Sequence, residues 1–166
     1  MGGRRKARES ALQVLYQWEF VPSDPADLLS AYWENRKASQ DIKDYGADLV
    51  KGILSHREEI DQAIQGVSEN WRLSRMAVVD RNILRIAVYE LMILKGLPPA
   101  VVIDEAIEIA KKFSGREAAV FVNGLLDALR KKLPHPASES VEVKHVRRKR
   151  NPETGRPPAG PRRKKE

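Results

Sequence analysis

Apolar residues in this chain recur every three or four positions from about residue 5 to about residue 132, and no stretch alternates apolar with polar as a half-buried strand would. That period selects an all-α body. It predicts seven helices. The first four cover about residues 5–20, 25–36, 42–55 and 57–67, and the fifth about residues 75–94. Ser74 is the expected N-cap of the fifth, and Lys95-Gly96 its left-handed end. Pro98-Pro99 opens the sixth, where a missing N–H costs nothing, and Ser114-Gly115 closes it. The seventh runs over about residues 117–132 and stops at Pro134.

The pattern then ends. Residues 134–166 hold six of the ten prolines, ten of the 30 Lys and Arg residues, and no aromatic residue. Such a segment buries too little apolar surface to offset the entropy of ordering it. The expected organisation is one helical domain over residues 1–133 and a disordered basic tail over 134–166, with at most a brief turn near Val141–Val146. The charge follows the same division. The chain carries a net +7, yet residues 9–143 are acidic. The basicity sits in the tail and at the N-terminus, where Arg4, Arg5, Lys6 and Arg8 stand without an acid among them. Concentrated cations beside a foldable body point to a polyanion, nucleic acid before membrane.

Several chemistries are excluded or disfavoured. Without cysteine there is no disulfide, thiolate metal site or Cys nucleophile. His56, His135 and His145 are too scattered for a histidine metal cluster, and neither metal nor cofactor is expected. No apolar run reaches the roughly 18 residues of a membrane span, and no signal peptide precedes the body, so a cytoplasmic protein is expected.

Four stretches carry what specificity there is. In RRKARESALQVLYQW, over residues 4–18, Ala7, Ala11, Val14, Leu15 and Trp18 share one helical face. Tyr16 falls on the opposite stripe with Arg5. An aromatic ring beside arginines suits single-stranded RNA, through phosphate neutralisation and base stacking. A helix that anchors the N-terminus with Tyr16 half-buried fits the composition equally well. In DRNILRIAVYEL, over residues 80–91, Arg81 and Arg85 lie opposite the apolar face, while Asp80 lies at its edge and Glu90 near its middle. A carboxylate there needs a partner, and a helix-locking role is favoured over acid–base chemistry because no nucleophile accompanies it. In VVIDEAIEIAKKFS, over residues 101–114, Asp104, Glu105 and Glu108 read as a solvated acidic face, and Lys111 and Lys112 as complements to the helix dipole. In FVNGLLD, over residues 121–127, Gly124 is expected to permit close helix packing and Asn123 to bond a nearby loop.

In this order and spacing the four stretches resemble the NusB family of bacterial transcription antitermination factors, over about residues 3–132. The resemblance implies a compact NusB-like domain of two three-helix units. It also implies partners: a small-subunit ribosomal protein (NusE), the boxA element of nascent RNA, and the RNA polymerase antitermination complex that reads through ribosomal RNA operons. By position, Arg4, Arg5, Lys6 and Arg8 match the family's arginine-rich RNA-binding segment, and Tyr16 its RNA-facing tyrosine. Asp80 matches an acid that contacts the ribosomal partner, and Glu117 an acidic position whose charge influences RNA affinity. Some members self-associate, so a homodimer is conceivable. The tail from Pro134 departs from the family pattern.

Similar helical domains are fused to ribosomal RNA methyltransferases. This sequence has no glycine-rich nucleotide-binding unit, so a non-enzymatic RNA-binding module is expected. The alternative is an adaptor whose basic tail supplies non-specific nucleic-acid or membrane binding.

Overall fold

The computed structural model describes residues 2–134, whose regular structure is all helical. Seven α-helices follow one another: α1 (Gly2–Phe20), α2 (Pro25–Trp33), α3 (Gln40–Ser55), α4 (Arg57–Val67), α5 (Val78–Tyr89), α6 (Pro99–Phe113) and α7 (Arg116–Lys132). The expected disordered tail, the turn near Val141–Val146 and the tail-based adaptor lie outside the described residues. No described helix is long and apolar enough to cross a membrane.

Local chemistry explains most boundaries. Asp24 caps α2 by accepting the Ala26 N–H at 2.8 Å, with Pro25 in the first turn where it lacks only an unneeded donor. The helix ends at Trp33, short of the expected residue 36. The reason is Arg36, which donates to the Tyr32 carbonyl at 2.7 Å and stacks its guanidinium 4.1 Å from that ring's centre. Side-chain capping replaces another helical turn. Ser39 caps α3 through the Ile42 N–H.

The fifth helix departs from expectation. Ser74 is not its cap. It sits in a short 3₁₀ turn over Leu73–Arg75, and α5 starts at Val78. Gln65 explains the difference. Its carboxamide donates to the Ser68 and Trp71 carbonyls and accepts the Leu73 N–H, pinning the preceding loop from α4. The last turn, Glu90–Leu94, is π-helical, with the Lys95 N–H reaching back to the Glu90 carbonyl at 3.1 Å. Lys95 and Gly96 then take φ values of 56° and 84°, which end the helix where a left-handed turn is expected.

Helices α1, α2 and α3 pack on one another, as do α5, α6 and α7. Helix α4 lies against α5 and α7, while α5 also contacts α1 and α3. So α5 runs through the middle, and every residue from Asn82 to Glu90 is buried, Arg85 included. Sequence periodicity assigns Arg81 and Arg85 to an outer face that this central helix does not possess. The FVNG stretch also differs. Gly124 is exposed, a Cβ there would meet nothing within 4 Å, and Asn123 is exposed beside it.

The glycine that does permit close approach is Gly52. A Cβ at that position would overlap the Tyr89 hydroxyl oxygen and lie 2.6 Å from a ring carbon. Gly52→Ala is therefore expected to destabilise the fold by about 1–3 kcal/mol through overpacking, despite alanine's better helix propensity. Urea unfolding measures this. A variant as stable as the parent would show that the Tyr89 ring yields freely.

Candidate nucleic-acid interface

The four cations at the start of α1 do not share one environment. Helical spacing turns Arg8 inward with Ala7 and Ala11, and its side chain is 3% exposed. There it meets Glu90, 1% exposed, at the start of the π turn. The guanidinium donates twice, Nε to Oε1 and Nη2 to Oε2, both at 2.8 Å. The Tyr45 hydroxyl from α3 donates to the same carboxylate at 2.5 Å. Burial disfavours the charged guanidinium, but the hydrogen bonds and charge of Glu90 outweigh it and hold its pKa above the ordinary value. Burial and the adjacent Glu90 also raise the Tyr45 pKa, so its hydroxyl remains a donor.

Arg5 is different. Its side chain is 44% exposed and donates Nε and Nη2 to Glu105 of α6 at 2.8 and 2.9 Å. These hydrogen bonds raise the Arg5 pKa and lower that of Glu105. Arg8 Nη1 stands 3.6 Å from the same Glu105 oxygen. Arg4 and Lys6 are exposed, and neither forms an ion pair within the described residues. Arg4 packs its guanidinium 4.9 Å from the centre of the Tyr45 ring.

Magnitudes separate these roles. Removing one partner of a buried pair costs about 3–5 kcal/mol, whereas an exposed pair contributes about 0–1 kcal/mol. Arg8 is held by Glu90 inside the fold, where it fixes α1 on the scaffold, rather than on the surface with the other three cations. Arg4 and Lys6 stand at the surface without an acid partner among the described residues, and Arg5 is paired there with Glu105.

Tyr16 is 42% exposed and stacks at a tilt on Phe20, 4.9 Å between ring centres. Eleven residues beyond Arg5, it stands about 16 Å further along the helix. The two share a side of α1 without touching. Phe20 and Val21 extend the apolar surface at this end. Asp80 occupies the first turn of α5, with Oδ1 shielded and without a hydrogen-bond partner among the described residues. Glu117 is exposed in the first turn of α7. Asp104 and Glu108 are exposed on α6, as expected for a solvated face, and no metal-binding group of acids or histidines occurs among the described residues. Lys112 pairs with Glu9 of α1 at 3.1 Å, and Lys111 with Glu108 at 3.3 Å.

A second ionic network fixes the other end of α1. Glu19 accepts from Arg81 at 2.8 and 2.6 Å and also from Arg85. Arg85 in turn donates to Asp61 of α4 at 2.8 and 3.1 Å, and to Asn82 at 3.1 Å. Beside it lies an open cleft of about 820 Å³ lined in part by Asp61, Gln65, Arg72 and Arg81. Sequence reasoning missed Glu19, Asp61 and Tyr45 and read Glu105 as merely solvated. Two arginines one turn apart on an otherwise apolar helix were the available signal that acids elsewhere must meet them.

Comparison with known proteins agrees with this architecture. The NusB family model matches residues 5–131. The transcription antitermination protein NusB of Myxococcus xanthus is 44% identical over 140 residues, covering 82% of this chain and all of the relative. That of Trichlorobacter lovleyi is 48% identical over 129 residues, covering 78% and 91%. Among solved structures, the crystal structure of the antitermination factors NusB and NusE in complex with double-stranded RNA superposes with a TM-score of 0.74 at 34% identity, over 80% of this chain and 99% of that one. A match that spans the helical body from its first cations to its last turn has one meaning: this chain belongs to the NusB family.

Proposed function

We propose that this chain is a transcription antitermination factor that binds boxA-type RNA together with the ribosomal protein NusE and promotes read-through of ribosomal RNA operons in the cytoplasm, without catalysing a reaction. The observation that carries the reading is the cationic end of α1. Arg4 and Lys6 are exposed there without acid partners among the described residues, on a helix locked in place by Arg8 and Glu90. Membership in a family of antitermination proteins, and a relative solved with NusE and RNA, supply the biological context.

Within this reading Arg4, Lys6 and Arg5 neutralise phosphates, and Tyr16 offers a ring to an unpaired base. Arg8 acts only by positioning the other three. Asp80, in the first turn of α5 with a shielded oxygen that has no hydrogen-bond partner among the described residues, is the acid assigned to contact with NusE. Glu117 adds negative charge that tempers RNA affinity.

The test is binding of a boxA-type single strand as a function of salt. Each phosphate contact on a single strand contributes about −0.7 to the slope of log affinity against log salt. The double variant Arg4→Ala/Lys6→Ala is expected to flatten that slope by about 1.4 and to weaken binding at least tenfold near 0.1 M salt. An unchanged slope would remove the cationic end of α1 from the interface. A duplex of the same sequence, measured in parallel, decides whether the single strand is preferred.

A further inference from the structure

We propose that Glu105 competes with RNA phosphate for Arg5, so that this α6 carboxylate sets the affinity of the α1 surface and Arg5 changes partner when RNA binds. The inference rests on the RNA-binding reading above and adds a residue to it.

Geometry supports the exchange. A guanidinium fork recognises a carboxylate and a phosphate through the same pair of parallel N–H donors. Arg5 presents that fork to Glu105 through bonds of 2.8 and 2.9 Å, at the exposed side of α1 and one residue from both Arg4 and Lys6. A phosphate drawn in by those two cations, which have no acid partner among the described residues, arrives beside an arginine whose donors are already occupied. The exchange also leaves no bare charge behind. Arg8 Nη1 already stands 3.6 Å from Glu105, so the released carboxylate keeps a cationic neighbour while Arg8 retains both bonds to Glu90. The side chain of Glu105 is 14% exposed, enough for water to reach it when Arg5 turns away.

A carboxylate in this position costs affinity, which gives the experiment its sign. Glu105→Gln in the full chain is expected to tighten binding of a boxA-type single-stranded RNA about three- to tenfold near 0.1 M salt. The salt slope should stay the same, because Arg5 reaches a phosphate in both proteins and the number of phosphates neutralised does not change. Arg5→Ala is expected to weaken the parent modestly, but to abolish the whole gain when combined with Glu105→Gln. Glu108→Gln, which neutralises an exposed acid one turn along α6, controls for net charge and is expected to have a smaller effect.

Three outcomes overturn the proposal. Unchanged or weaker binding by a folded Glu105→Gln protein, with its thermal midpoint checked, would make Glu105 a positioning group for Arg5. A gain that survives Arg5→Ala, or that Glu108→Gln equals, would reduce it to net charge. If the parent shows no salt-dependent RNA binding at all, the RNA reading itself falls and this inference with it. If instead the parent binds and only the Glu105 effect is missing, the reading stands and the exchange alone is lost.

Discussion

Glu90→Ala is expected to remove about 3–5 kcal/mol of folding stability, measured as a fall in the urea midpoint at constant slope. The magnitude follows from what remains behind. Arg8 is only 3% exposed and has no second acid as close as Glu90, since Glu105 is 3.6 Å away and already serves Arg5. Tyr45 loses its acceptor in the same step. Arg8→Ala strands the carboxylate instead and is expected to cost a similar amount. The pair Arg8→Met/Glu90→Leu, which removes both charges and keeps volume, is expected to be less destabilised than either single variant. A cost below about 1 kcal/mol for Glu90→Ala would mean that water easily replaces the Glu90 carboxylate as the partner of Arg8. The pair would then not be what holds the N-terminal half of α1 to the scaffold.

Glu19→Ala is expected to cost about 2–3 kcal/mol, because Arg81 and the buried Arg85 lose their shared acceptor. Asp61 retains its two bonds to Arg85, which keeps the loss below that of Glu90. The same residue governs acid stability. Burial opposes its ionisation, but the hydrogen bonds from Arg81 and Arg85 prevail and lower its pKa from 4.5 to about 2. A depressed acid stabilises the fold fully above its unfolded value, and that contribution disappears as pH falls through the folded value. The stability of the parent should therefore decline between about pH 4.5 and pH 2. Glu19→Gln should flatten that decline. Glu105, whose pKa Arg5 lowers, adds to the same limb, so combining Glu19→Gln with Glu105→Gln should flatten it further. An acid limb that Glu19→Gln leaves unaltered would contradict the role assigned to this network.

The helices were legible because a buried stripe repeats every turn and proline and glycine punctuate the gaps. What tertiary structure decides was not legible. Ser74 has the chemistry of a cap, but Gln65 pins the loop ahead of it and α5 starts later. Arg81 and Arg85 read as an outer face because period alone cannot distinguish a helix with one buried side from one surrounded by α1, α4 and α7. That Glu90 needs a partner was deducible from its place in the apolar face. That the partner is Arg8, 82 residues earlier, was not. For the same reason the cations of RRKAR could be counted in the sequence but not sorted. Only the fold separates Arg8, locked on Glu90, from Arg5, paired with Glu105 at the surface, and from Arg4 and Lys6, which have no acid partner among the described residues. Close packing was expected at Gly124 and occurs at Gly52 instead, since a helical glycine shows in the sequence while the ring that requires it does not.

The most direct test of an RNA-gripping α1 is a photocrosslinking map of the full chain with a boxA-type single strand, with and without NusE. The account predicts adducts at Arg4, Arg5, Lys6 and Tyr16, none at the buried Arg8, and stronger crosslinking when NusE is present. Adducts confined to residues 134–166, with α1 unmarked in both conditions, would contradict it.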